Sequence, residues 1–402
     1  MTTEAERRLT SVPWRALEGL GPILEPALTQ ILEGSPAERV LDRLLRAHRD
    51  FTPEQRRVCA ESLFGVGLWR RRLRSHFDGS PLQLLAILAR ELGEFSEPAL
   101  GVELPALAPT PAAWRDRFSF PDWIGQHLDA RFGTEAPALA EALNRPGPVC
   151  LRARGPREEL QQLLASHGVE TVPGRWAVRA LVVTTPRPNL LGLGPEFLGR
   201  FEVQDEGSQL LGELVDARPG DDVLDLCAGA GGKSLQLAAI IGPEGRVHAT
   251  DLDLPRLERL RTRAAKANAR VLIHGREAPA SLLVSRVLVD APCSELGALR
   301  RGPDLRWRLE PSLVSSMPAI QLGLINTGLR HLAPGGRLVY ATCTFTREEN
   351  EQVVEETIVT HPELKLVQPE VHSALLDASG CLFVTPHRHG TDGFFGAVFE
   401  RR

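Results

Sequence analysis

The sequence contains no CxxC pair: its six cysteines (Cys59, Cys150, Cys227, Cys293, Cys343 and Cys381) lie far apart. No Cys/His cluster has zinc-ligand spacing, so neither a disulfide framework nor a metal site is expected. No stretch approaches the ~20 apolar residues needed to span a bilayer. The start, MTTEAERRLT, lacks the apolar core of a signal peptide, and a reducing cytoplasm is the expected location. Internal repeats and low-complexity tracts are missing as well. Positive charge is not in excess either: the net charge of −4 does not by itself suggest a nucleic-acid partner. No exposed apolar repeat asks for a second copy, so a monomer is expected.

What is present is 402 residues, 43% hydrophobic and 24% charged, the balance of a soluble globular protein with two or three domains. Residues 1–95 read as helices, with Leu41, Leu44 and Leu45, then Leu63, Phe64, Leu68 and Trp69, recurring at three- and four-residue steps. Thr52-Pro53-Glu54 is a helix start, with Thr52 as N-cap and Pro53 in the first turn. Residues 96–113 bring four prolines (Pro98, Pro105, Pro109, Pro111) without periodicity and read as a linker. Residues 114–200 predict a small α+β domain: a Trp-rich helical part, a strand over 149–154, a helix over 157–167 and β segments around 176–184. From Phe201 to Arg402 the pattern is α/β. Strands over 222–227, 246–250, 271–274, 286–290 and 337–341 alternate with helices, which predicts a parallel doubly wound sheet. The close, from Asp392-Gly393-Phe394-Phe395, suits a last strand returning antiparallel.

Charge is uneven along the chain. Residues 51–80 hold six arginines, among them Arg70, Arg71, Arg72 and Arg74, against three acids, a balance of +3. Arg300, Arg301, Arg306 and Arg308 against Asp304 leave another +3. One such run is ordinarily a solvated face. The second directly follows the Cys293 loop, and that adjacency adds weight to RNA contact.

Two cysteines carry the chemistry. Cys293, in Asp290-Ala291-Pro292-Cys293, and Cys343, in Ala341-Thr342-Cys343-Thr344, each close an apolar strand-like run. Ligands of open α/β sheets bind beyond the carboxyl ends of such strands. Taken singly, each thiol reads as a small buried hydrophobe; at matching strand ends the pair suits thiol addition to an electron-poor ring. Addition to C6 of a pyrimidine makes an enamine whose C5 can attack a methyl sulfonium. Asp290 can hydrogen-bond N3 and the exocyclic amine of a cytosine, and Lys233 can reach the same crevice. At the cofactor end, VLDLC (223–227) runs into AGAGGKS (228–234). Gly229, Gly231 and Gly232 permit close approach of a ligand, and the next strand ends in Asp251, an acid placed for ribose hydroxyls. The loop is neither a dinucleotide fingerprint nor a Walker A motif, which favours S-adenosylmethionine. The plainer account is a tight strand–helix turn with Asp251 on the surface.

These residues resemble the Sun/Nop family of S-adenosylmethionine-dependent RNA cytosine-5 methyltransferases. The matching stretches are FEVQDEGSQLLGELV (201–215), VLDLCAGAGGKS (223–234), DLDLPRLERL (251–260), VLVDAPCSELGALRRGPDLRW (287–307), GGRLVYATCTFTREENE (335–351) and DGFF (392–395). The resemblance implies a Rossmann-like class I methyltransferase domain, a small RRM-like middle domain and an all-α NusB-like RNA-binding domain at the N-terminus. It implies Cys343 as nucleophile, Cys293 as the thiol that helps release product, and Asp290 with Lys233 as the pair that orients the base. Cofactor contacts are implied for Cys227, Ala228, Gly229, Ala230, Gly231, Gly232, Lys233, Asp251, Arg256, Glu277 and Asp290. The implied substrate is RNA, specifically small-subunit ribosomal RNA, with Arg70, Arg71, Arg72, Arg74, Arg300, Arg301 and Arg306 as contacts. Three departures stand out: Ala230 replaces the usual proline of the loop, Arg276 precedes the acid Glu277 beside the adenine site, and Ser285 stands where an acid often precedes the DAPC strand. An RNA-binding assembly factor on a decayed methyltransferase scaffold is the competing reading. A small-molecule or protein methyltransferase ranks last, because it leaves the helical N-terminus and both thiols without a use.

Overall fold

Thr52 caps a helix, Pro53–His76: its hydroxyl accepts from Gln55 N, while the Gln55 side chain returns to Thr52 N. The same box, built on Ser80 and Gln83, opens Pro81–Ile87. Such caps turn amphipathic runs into helices with defined ends, and these pack with Gly21–Leu32 and Ala37–Ala47 around Leu24, Leu28, Val58, Leu63, Leu73 and Leu85. The computed structural model describes residues 8–95, 100–186, 188–302 and 304–402. By internal contacts the chain divides into two units, one of residues 1–146 with 298–311, the other of residues 147–297 with 312–402.

The first unit is helical and includes Trp114–Arg117, Asp122–Phe132 and Ala136–Leu143. By these contacts residues 114–146 group with the helices of the first unit. The reason is Arg306, whose fully buried guanidinium donates to Asn144 Oδ1 (2.8 Å) and to the Ser119 carbonyl (3.3 Å). Of the expected linker, residues 96–99 lie outside the described residues. Residues 101–113 carry no helix or strand, yet they are no free tether. His76 Nδ1 donates to the Ala108 carbonyl (2.7 Å), and Ala108 N donates back to His76 O (3.1 Å).

The second unit holds two sheets. The smaller is antiparallel, with β1 (Cys150–Ala153), β2 (Thr171–Pro173), β3 (Ala180–Val183) and β4 (Phe201–Val203) in the order β2-β3-β1-β4. Helix Arg157–Ser166 covers it through Leu160 and Leu164. β4 begins at Phe201, where the larger domain was expected to start, and pairs Val203 with Leu151. A three-residue strand is too short to show a period of two.

The larger sheet contains β5 (Asp222–Asp225), β6 (Arg246–Thr250), β7 (Val271–Gly275), β8 (Val284–Asp290), β9 (Leu332–Thr342), β10 (Leu364–Val367), β11 (Leu382–Val384) and β12 (Phe394–Arg401). Its order is β10-β12-β9-β8-β5-β6-β7, with β11 added on β12. β5 to β9 run parallel, as the alternation of strands and helices predicts, and β12 returns antiparallel between β9 and β10. Chain order reverses at β5, so a crevice opens beyond its carboxyl end. β8 and β9 pair Asp290 with Ala341, which sends the two cysteine loops out side by side.

Candidate active site

The two thiols meet. Cys293 Sγ and Cys343 Sγ are 3.3 Å apart, and the Cys343 backbone N–H donates to Cys293 Sγ (3.3 Å). The hydrogen bond with Cys293, then burial and nearby carboxylates, hold the Cys343 thiol well above its ordinary range. It therefore rests protonated at neutral pH. Cys227, in the glycine loop, is also pushed well up, by burial first and by Asp225 next, and rests as a neutral thiol.

Lys233 follows Gly232 at the start of helix Gly232–Ile241, and its Nζ lies 2.7 Å from Asp290 Oδ2 at the end of β8. Burial alone would pull the ammonium down. Asp290 and Asp225 more than offset this, so Lys233 stays charged. Phe394 of the DGFF stretch sits 5.8 Å from the same nitrogen. Asp205 Oδ1 accepts from Gly207 N (2.8 Å) and from Asp392 N (3.1 Å), which ties the 201–215 stretch to the 392–395 stretch.

Beyond β5 the loop folds tightly: Gly231 N donates to Ala228 O (2.9 Å), and Gly229 and Gly231 both have positive φ. A Cβ on Gly231 would collide with Leu260, so that position needs glycine for space as well as for conformation. Ala230 is held from outside the loop by Arg263. Its guanidinium donates to Ala230 O and pairs with Glu202 Oε2 (2.5 Å). Asp251 Oδ2 accepts from Gly229 N and Oδ1 from Asp253 N, each at 2.7 Å. Each carboxylate oxygen keeps a lone pair for a ribose hydroxyl. Leu252, the next residue, is 76% exposed and offers an apolar surface beside that acid. Arg256 lies over Gly229. These residues fit a nucleoside whose amino-acid tail rests on the glycine loop. Glu277 is exposed. The side chain that shapes the end of β7 is His274, whose Nε2 lies 2.8 Å from His248 Nδ1, and burial lowers both imidazoles below their ordinary value. Sequence reasoning missed Leu252 and this histidine pair, because neither exposure nor a cross-strand contact leaves a local motif.

The arginines of the first unit are arranged differently from a solvated basic face. Arg306 is fully buried on the Phe120 ring (3.9 Å) and its pKa is lowered to about 9 by burial. Arg72 is buried against Trp69, and Arg300 is buried in the wall of a 160 Å³ cavity with Glu61 and Asn144. Arg70 stacks over Trp307 (4.2 Å), and Arg71 pairs with Asp116 (2.5 Å) and Asp122 (2.7 Å). These side chains brace helices; a guanidinium stem covers apolar surface while its fork collects carbonyls and carboxylates. Arg74 and Arg301 are exposed at the surface, Arg74 pairing with Asp78 (3.3 Å). Among the described residues no group of three or more His, Cys, Asp or Glu is placed to hold a metal ion, and no helix is long and apolar enough to cross a membrane.

The family model for 16S rRNA methyltransferase RsmB/F matches residues 213–400, and that of an RsmF/B-like ferredoxin-like domain matches 120–189. Ribosomal RNA small subunit methyltransferase B of Thermus thermophilus is 32% identical over 412 residues, covering 93% of this chain and 96% of its own. The chain belongs to the RsmB/F methyltransferase family. Probable ribosomal RNA small subunit methyltransferase B of Synechocystis is 29% identical over 302 residues, 71% of this chain and 68% of its own. The fold also recurs in the crystal structure of PH0851 (TM-score 0.77, 22% identity, 97% and 99% of the two chains). It recurs again in a methyltransferase homolog protein from Pyrococcus horikoshii (0.63, 24%, 72% and 98%). S-adenosylmethionine is the family's cofactor, and the 227–232 loop with Asp251 fits it.

Proposed function

We propose that this chain methylates C5 of a cytosine in 16S rRNA through a covalent adduct between Cys343 and C6. The observation that carries the reading is the pair of sulfurs 3.3 Å apart at the ends of β8 and β9, beside Lys233 and Asp290. Cys343 Sγ forms a bond to C6 as its proton passes to N3 of the base, and the C5=C6 π pair moves toward C5. Asp290, steadied by Lys233, accepts from the exocyclic amine and, as the adduct forms, from the newly protonated N3, so that C6 faces the thiol. When bound on the 227–232 loop, S-adenosylmethionine supplies an electrophilic methyl group. Cys293 then accepts the C5 proton; the freed pair restores C5=C6 and expels Cys343. Asp251 holds the ribose, with Arg256 above the loop. The helical first unit is read as the NusB-like RNA-binding part, with Arg74 and Arg301 offered to phosphates.

The test is a denaturing gel of Cys293→Ala incubated with 16S rRNA and S-adenosylmethionine. A slow-migrating protein–RNA band that vanishes in Cys293→Ala/Cys343→Ala supports the roles as assigned. A band from Cys343→Ala instead would exchange the two thiols. Wild-type protein that binds 16S rRNA yet transfers no methyl group would favour the assembly-factor reading.

A further inference from the structure

Behind the thiols lies a buried network that the reaction itself does not use. Glu349 is fully buried, and four donors rather than a cation meet its carboxylate. Oε2 accepts from Ser294 N (2.9 Å) and Gln321 Nε2 (3.1 Å); Oε1 accepts from Ser294 Oγ (2.5 Å) and Thr346 Oγ1 (2.9 Å). Gln321 Nε2 also donates to Pro292 O (3.0 Å). Glu349 thus fixes both neighbours of Cys293, Ser294 directly and Pro292 through Gln321.

The next residue does the same for the other thiol. Asn350 Oδ1 accepts from Thr342 Oγ1 (2.7 Å), and Asn350 Nδ2 donates to Thr344 O (3.1 Å). Both neighbours of Cys343 are therefore held by one side chain that is itself fully buried. The two clamps are joined: Ser294 Oγ and Thr344 Oγ1 are 2.7 Å apart. Since the Ser294 proton is committed to Glu349, Thr344 is the donor.

We infer that Glu349 and Asn350 are paired positioning residues, each setting one thiol: Glu349 sets Cys293, and Asn350 sets Cys343. The physical case is that a saturated buried carboxylate allows few other arrangements, since moving any donor away leaves a charge desolvated and short of a partner. Displacements of about 1 Å at reacting atoms cost on the order of a hundredfold in rate. This inference rests on the thiol roles proposed above, so its failure must be separable from theirs.

The experiment measures covalent protein–RNA adduct and single-turnover methylation of 16S rRNA for two sets of variants. Glu349→Ala and Gln321→Met loosen the Cys293 clamp. Asn350→Asp and Thr342→Val loosen the Cys343 clamp, the first by setting a carboxylate oxygen against Thr344 O. S-adenosylmethionine affinity by calorimetry reports that each variant is folded, and the near-isosteric Gln321→Met and Thr342→Val serve if the harsher change fails to fold. Loosening the Cys293 clamp is expected to raise the standing adduct about tenfold or more while methyl transfer into it continues. Loosening the Cys343 clamp is expected to slow adduct formation by a similar factor with no accumulation. Glu349→Gln should recover near wild-type behaviour, because its amide nitrogen can occupy the Oε1 side if the hydroxyls of Ser294 and Thr346 turn to accept. If both sets trap adduct, or both merely slow its formation, the inference is overturned. If Cys293→Ala traps nothing while Cys343→Ala stays active, the underlying assignment of the thiols is what has failed.

Discussion

Asp225 offers a quantitative test of the electrostatics beneath the cofactor loop. It ends β5, is 1% exposed, and accepts from Ser234 Oγ (2.7 Å) at Oδ2, with the Cys227 backbone N–H also drawn to its carboxylate. Its Oδ1 is buried and lacks a well-formed hydrogen bond among the described residues. Burial first, and the charge of Asp290 next, push its pKa from an ordinary 3.8 up to about 7, against the pull of Ser234 and Lys233. Below pH 3.8 the group is neutral in folded and unfolded chains alike and costs nothing. Between there and about 7 the unfolded chain ionises while the folded one stays protonated. Stability therefore falls by about 1.4 kcal/mol per pH unit, to a total of about 4 kcal/mol that persists above. Asp225→Asn has no proton to release. Its advantage over wild type should grow by about 3 kcal/mol from pH 5 to pH 8, or roughly 5–10 °C in Tm for a unit of this size. Thermal melts of both proteins at both pH values give this as a double difference, in which titrating groups not coupled to Asp225 cancel. An advantage that stays constant, or shrinks, with rising pH would refute the reasoning.

Asp251→Ala removes the acceptor that Gly229 and Asp253 orient, and should weaken S-adenosylmethionine binding by about tenfold or more in calorimetry; unchanged affinity would place the ribose elsewhere. Because Cys343 rests protonated, the single-turnover rate should rise about tenfold per pH unit above neutrality until the thiol titrates. In Cys293→Ala, which lacks the first cause of the shift, the adduct-formation curve should move to lower pH; coincident curves would count against the sulfur–sulfur contact. Arg306→Ala should destabilise the helical unit by about 3 kcal/mol in denaturant melts and leave the salt dependence of RNA affinity alone. By contrast, Arg301→Ala should lower that slope by about 1.

What could be seen in the sequence was whatever repeats locally or ends an element. Strands β5, β6, β8 and β9 were legible because they lie inside the sheet, and their ends fall where Asp225, Thr250, Asp290 and Thr342 interrupt the run. The thiols were visible for the same reason, as the first unusual residues past two such ends. The arginine runs misled, because charge in a sequence carries no burial. Arg306 and Arg72 lie among residues distant in the chain, and partners such as Asn144 and Phe120 reach Arg306 only on folding. The same buried Arg306 ties residues 114–146 to the helical unit through Asn144 and Ser119.

Long-range compensation is the other kind of information a motif omits. Judged by its sequence neighbours alone, Ala230 is a lost proline and predicts a looser cofactor loop. In the structure Arg263 ties the Ala230 carbonyl to Glu202 across 61 residues of sequence, so an ion pair constrains the loop where a ring would otherwise do so. A ring constrains at every salt concentration, whereas the Arg263–Glu202 pair, with side chains 33% and 14% exposed, is partly screened by salt. Cofactor affinity in this chain should therefore fall with ionic strength more steeply than Ala230→Pro would allow. Restoring the proline should flatten that dependence while removing the need for Arg263. If Arg263→Ala weakens S-adenosylmethionine binding equally in the wild-type and Ala230→Pro backgrounds, the two devices are not substitutes and the compensation is wrong.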